Sequence, residues 1–257
     1  MDTPAAPAVV RINRWLPYWA VLQADVRQTL CSWVYRTWVL VSVLVTTGYL
    51  LYRYGAQHEA GILQPASHLI TDLLGWTVLG SVTLIIVLTA GSISSERGTM
   101  ADSVLSRGIS RYQYFLGKWH ARLVTVLGTF LAMGAAALVA TFFLLHEDLS
   151  LLGGVAALLM VAALLAAVSS WGVAVSAVTN STVAGIAVVW VAVYGGGILL
   201  SVLPSSIPSP TGLLRILPHV LHGEFNWNTV GRLAVWCAAA SCVAALFGMG
   251  YFARRDV

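Results

Sequence analysis

Six histidines, three cysteines and a single lysine are the residues here best suited to ligating a metal or attacking a substrate. His219, His222 and Glu224 share one face if their stretch is helical, and three such side chains suit zinc or copper. Histidines at a membrane surface are commoner than ligand sets, so these three are candidates and no metal site is assigned to them. Gly91-Ser92-Ile93-Ser94 superficially resembles a nucleophile turn. It lacks a partnering histidine, and two serines bonded back to helix carbonyls is the simpler reading. Cys31, Cys237 and Cys242 form no CxxC or Cys/His spacing, and their odd count gives no disulfide framework; they read as apolar fillers. No GxxxxGK[ST] occurs. Lys118 stands in Phe-Leu-Gly-Lys-Trp, without the glycine-rich turn that cradles phosphates. The chain is therefore expected to be no enzyme, with no cofactor of its own.

One polar segment stands out, Ser95 to Trp119. Thr99 with Asp102 three residues on is a capping-box pattern, so a short helix is expected near Met100, and Gly108 sits where it would stop. Met100, Val104 and Leu105 share a face of that helix, flanked by Asp102, Ser106 and Arg107. Ser110 and Gln113 form a second capping-box pattern, opening the next helix. A short amphipathic helix held off the membrane by two long ones is suited to fill a groove on a partner.

The elements that carry this segment follow from composition. Of 257 residues, 58% are hydrophobic and 9% charged, against roughly 25% charged in soluble domains. The bilayer must be the solvent for most of this surface. Six stretches reach the length of a spanning helix, at about 33–52, 69–94, 119–145, 149–178, 183–203 and 230–252. Ahead of them, Trp15, Trp19, Leu22, Val26, Leu30 and Trp33 recur every three or four residues, with Arg27 and Gln28 off the stripe. That pattern predicts an amphipathic helix at about 14–32 lying in the headgroup layer. The opening MDTPAAPAVVRINRW lacks a basic stretch followed by an apolar one and does not read as a signal peptide.

With both tails inside, eleven of the fourteen Lys and Arg residues fall on the cytoplasmic side, leaving Arg53, Arg215 and Arg232 outside. The acids divide evenly, so the basic residues set the orientation. The expected fold is an all-α, multi-pass protein of the inner (plasma) membrane, one transmembrane domain over 1–257 with cytoplasmic termini. Pro204, Pro208, Pro210 and Pro218 exclude one long helix between the last two spans, and the apolar LLRILPHVL is expected to lie on the outer surface of the membrane or to dip slightly into it. The net charge of +4 is small for a nucleic-acid binder, and none is expected as a partner.

Glu96-Arg97-Gly98-Thr99, Leu105-Ser106, Ile109-Ser110-Arg111 and Leu116-Gly117-Lys118, in this order, resemble the signature of type-two ABC exporter permeases. That family opens the segment with an ERE-x-GT-like motif and closes it with an "lGK" step. The ending Phe252-Ala253-Arg254-Arg255-Asp256-Val257 is similar to its "F-x-R-R-D" close. The resemblance spans nearly the whole chain; the second acid of ERE is missing, and Arg107 replaces a small residue or proline.

The resemblance implies that Thr99 to Ser106 is a coupling helix seated in a separate ATP-binding subunit, which holds ATP and Mg. Contacts are expected from Glu96, Arg97, Gly98, Thr99, Met100, Asp102, Val104, Leu105 and Arg107. The turn Thr179-Asn180-Ser181 is a second cytoplasmic contact. A homodimer, or a pairing with a close relative, is implied as well. The cargo expected from apolar spans is hydrophobic or amphipathic, moved by alternating access. One branch of the family serves copper-enzyme maturation of the nitrous oxide reductase type, an alternative that the outer histidines keep open. A secondary transporter or channel is the rival class. It would be expected to place an ionisable residue deep in a span, where this sequence is read as holding only Ser, Thr, Gly and apolar residues. Gly195-Gly196-Gly197 permits close packing or a hinge.

Overall fold

A computed structural model describes residues 15–60, 66–96, 109–145, 150–202, 210–224 and 226–254. The elements are α1 (Leu16–Cys31), α2 (Trp33–Ala60), α3 (Ala66–Ala90), a 3-10 turn (Ser94–Glu96), α4 (Arg111–Leu145), α5 (Leu151–Val178), α6 (Thr182–Val202), α7 (Pro210–Leu221) and α8 (Trp227–Arg254). There is no strand among the described residues, so the chain is all-α. Among the described residues, five helices are long and apolar enough to cross a membrane, with mean hydropathy from 1.4 to 2.6: Trp33–Gly55, Arg111–Phe143, Leu151–Val178, Thr182–Leu199 and Trp227–Arg254. The helix α3 has 25 residues, with Asp72 in its second turn.

Local chemistry sets the breaks between elements. Ser32 is extended and ends α1; its hydroxyl donates to the Thr29 carbonyl (2.7 Å) and accepts the Tyr35 amide (3.2 Å). One side chain thus closes α1 and caps α2, serving the free backbone groups at both helix ends. Stripe and span are separate helices rather than one span that begins early. The capping box expected at Ser110 is present. Ser110 Oγ accepts the Gln113 amide at 3.2 Å, and Gln113 Oε1 accepts the Ser110 amide at 3.3 Å. So α4 begins at Arg111, eight residues before the span expected from 119; hydropathy marks where lipid begins, while the cap marks where the helix does.

The centre of the molecule is α5. Half of its 28 residues are Ala, Gly or Ser, and it packs against α3, α4, α6, α7 and α8. Small side chains let neighbouring backbones come close, which gains dispersion contacts where no hydrophobic effect drives helix association. A Cβ on Gly153 would overlap the Val220 carbonyl oxygen of α7, and one on Gly248 of α8 would stand 2.9 Å from Ala174 Cα.

The prolines break the connection as expected, and α7 is a helix separate from α6. Pro210 opens it, its fixed φ suiting a first turn, and it continues through Pro218 to Leu221. Leu217, Val220 and Leu221 are buried, and the Leu221 carbonyl accepts the Ser150 amide at 3.1 Å. The end of α7 is therefore packed against the head of α5. Gly196 and Gly197 have nothing within 4 Å of a built Cβ, so the three glycines of α6 allow no close approach among the described residues.

Candidate functional site: the base of the 97–108 loop

Residues 97–108 lie outside the described residues. So do Arg97, Gly98, Thr99, Met100, Asp102, Val104, Leu105 and Arg107 of the expected coupling segment. What is described is how the chain enters and leaves that segment, and both sides are held firmly.

On the entering side, α3 ends at Ala90 and the chain turns through Gly91–Glu96. Ser176 Oγ on α5 accepts the amides of Ile93 (2.9 Å) and Ser94 (3.0 Å). Two backbone donors released by the end of α3 are thereby satisfied inside the protein. Ser94 Oγ bonds back to the Ala90 carbonyl at 3.2 Å, as expected of a helix-end serine, and lies 3.1 Å from Thr182 Oγ1 at the start of α6. Ser92 does not bond back: its hydroxyl is buried without a partner. Neither serine has a nucleophile's surroundings.

The turn ends at Glu96, whose carboxylate points inward. Lys118 Nζ on α4 donates to Glu96 Oε1 at 2.7 Å, and the Tyr114 hydroxyl donates to Glu96 Oε2 at 2.7 Å. Lys118 also donates to Asp25 Oδ1 on α1 at 2.9 Å. Arg122, one turn further along α4, completes the group. Its Nη2 donates to Asp25 Oδ1 at 3.3 Å, and its Nε lies 3.2 Å from Asp25 Oδ2. The second is an ion contact rather than a well-aligned hydrogen bond, since neither atom finds a partner of good angle. Side-chain exposure is 2% for Asp25, 4% for Lys118 and 13% for Glu96. Two carboxylates and two cations thus neutralise one another out of water, which offsets the several kcal/mol that desolvating each ion costs.

One reading of the sequence is corrected here. The span interiors are expected to hold only Ser, Thr, Gly and apolar residues, yet Arg122 is buried in α4 together with Lys118, and Asp25 is buried in α1. The carboxylate of Glu96 faces Lys118. The signal lay in the spacing: Lys118 and Arg122 are one turn apart in an apolar run, and Asp25 is spaced by four from Val21 and Thr29. Val21, Asp25 and Thr29 lie on the face of α1 that meets α4, beside the tryptophan stripe.

On the leaving side, Tyr114 and Phe115 of α4 pack with Phe252 of α8 and with Ile93, Val173 and Ala177. Arg111 Nη1 donates to the Ala253 carbonyl at 3.3 Å. The C-terminal motif through Arg254 is thereby placed beside the loop, while Arg255–Val257 are outside the described residues. The turn Thr179-Asn180-Ser181 lies at this same end, adjoining Thr182. Thr179 caps α5 by bonding to the Val175 carbonyl, and Asn180 and Ser181 are exposed. The described base of the first segment, through Ser94, is thus a neighbour of the second.

The metal candidates fare differently. His219 Nδ1 and Glu224 Oε2 are 3.9 Å apart on side chains 70% and 79% exposed. His222 lies in the turn after α7, and no group of three ligands able to hold a metal occurs among the described residues. No protein-family model matches this chain, and no curated protein matches it either.

Proposed function

We propose that this chain is the membrane-spanning permease of an ABC-type exporter, with α3 as its sixth span and both termini cytoplasmic. In this reading the 97–108 loop receives motion from a separate ATP-hydrolysing subunit. The observation that carries the proposal is the construction of the loop's base. A connector that only links two spans and carries positive charge requires solvated lysines and arginines. Here the base is bonded to α4 through Lys118 and Tyr114, to α5 through Ser176 and to α6 through Thr182. A push on the loop would therefore reach three helices together, as a lever requires. The exposed turn Asn180–Ser181 beside it offers a second point of contact.

The resemblance of the segment to type-two exporter permeases supports the same reading, and with it a pairing of two permease copies. The apolar exteriors of the helices support a hydrophobic or amphipathic cargo. The test is purification of the full chain from its native membrane, followed by assay for ATP hydrolysis that travels with it. We expect a stoichiometric ATPase subunit, lost or uncoupled in Val104→Pro, while membrane insertion is unchanged. Cargo movement driven by an ion gradient and indifferent to ATP would favour the carrier class instead, with the Asp25, Lys118 and Arg122 cluster as its ion-linked site.

A further inference from the structure

We propose that Asp25 is a positioning residue for the turn 91–96, acting through Lys118 on Glu96, so that α1 and this turn form one mechanical unit. The functional meaning of this rests on the coupling role proposed above; the linkage itself is a property of the chain alone.

The argument begins with where Asp25 sits. The helix α1 has three faces. Trp15, Trp19 and Leu30 are exposed on the apolar one. Gln23, Arg27 and Gln28 are exposed on the polar one. The third meets α4, where Val21 packs on Gly117, a Cβ at which would stand 2.8 Å from Val21 Cγ1. Tyr18 hydroxyl and His120 Nδ1 lie 3.0 Å apart on this face. Seating α1 needs no charge, because these contacts and the tryptophans suffice to hold an amphipathic helix between protein and lipid. A carboxylate at its centre, 2% exposed, therefore calls for another explanation.

Lys118 supplies it. Its ammonium has three donors, and it spends one on Asp25 and one on Glu96, at 2.9 and 2.7 Å. It is the only described group that touches both α1 and the turn before the loop through ion pairs. Arg122 grips Asp25 from the next turn, which fixes the carboxylate and leaves Lys118 to bridge. If Asp25 lost its charge, Lys118 and Arg122 would be two buried cations facing one acid. Lys118 would then move toward Glu96 and water, and the turn would lose its link to α1. Movement of α1 at the membrane surface is in this way passed to the loop base.

Hydrogen exchange on the full-length chain in nanodiscs tests this, with peptides covering α1 and 91–96 read separately. Asp25→Asn is expected to speed exchange in both segments, on the order of 100-fold if the buried pair is lost. Glu96→Gln is expected to loosen 91–96 while α1 stays protected. Val21→Ala, which removes packing but no charge, is expected to affect α1 alone. Should Asp25→Asn not accumulate, Asp25→Glu, which keeps the charge and displaces it, is expected to loosen both segments to a smaller degree. The proposal is overturned if 91–96 exchanges as in the parent when Asp25→Asn has loosened α1, or if Val21→Ala loosens 91–96 as much as the charge variant does. No ATPase is needed for this measurement, so its outcome is separate from that of the coupling role.

Discussion

Single side chains at the base of the loop do work that their types alone would not announce. Ser176 is one of three serines on α5 and lies in a run of small residues that reads as packing. Its hydroxyl nevertheless accepts both the Ile93 and Ser94 amides. Ser176→Ala would leave two buried donors unpaired at a cost of about 1–3 kcal/mol each. We expect a lower unfolding temperature in detergent for Ser176→Ala, with Ser170→Ala as the comparison, since Ser170 accepts only the Trp119 indole N–H. Equal effects of the two would remove the special role of Ser176. The ionic cluster was hidden from the sequence for a related reason. Asp25 and Lys118 are 93 residues apart, and nothing in a local pattern distinguishes a charge that faces water from one that faces a partner across two helices. Ser110 and Gln113 were legible because both halves of the capping box lie within one turn.

At the scale of elements, the apolar stretches and their punctuation were readable, while the packing partners were not. The bounds of α5, α6 and α8 followed closely from hydropathy, because lipid imposes a minimum span, while α2 runs on to Ala60, past the 52 expected. The four prolines were legible as excluding one long helix after α6, but not the separate helix that Pro210 begins and that tolerates Pro218 because its last turn is held by α5. That contact depends on Gly153, where any Cβ would meet the Val220 carbonyl. Gly153→Val should therefore force α7 away from the head of α5. Limited proteolysis between 203 and 226 is expected to become several-fold faster, with cleavage near 146–149 following, because the Ser150 amide bonds to the Leu221 carbonyl. Unaltered cleavage would mean that α7 is held by something other than this approach. The helix α1 was predicted as a stripe and found as a separate element, yet its buried face was not foreseen. A hydrophobic stripe locates the lipid side of such a helix; a charge at the edge of the stripe is what locates the protein side.

Among the described residues, the buried ion pairs lie at one end of an apolar bundle. The end formed by Gly91–Glu96, Arg111, Thr179–Ser181 and Arg254 holds the buried ion cluster and the exposed second turn. The opposite end holds the Arg53–Asp72 pair, 3.6 Å apart and partly exposed, and the exposed histidine of α7. Such an asymmetry suits a protein driven from one side. The sense of the asymmetry is what the account depends on, since an ATP-hydrolysing subunit can grip only a loop that faces the cytoplasm. Replacing Cys31, Cys237 and Cys242 with serine and placing one cysteine at Ser103 allows that sense to be read in intact cells with a membrane-impermeant maleimide. We expect Ser103→Cys to remain unlabelled until the membrane is opened, while a cysteine at Glu224 labels from outside. Labelling of Ser103→Cys in sealed cells would contradict the account.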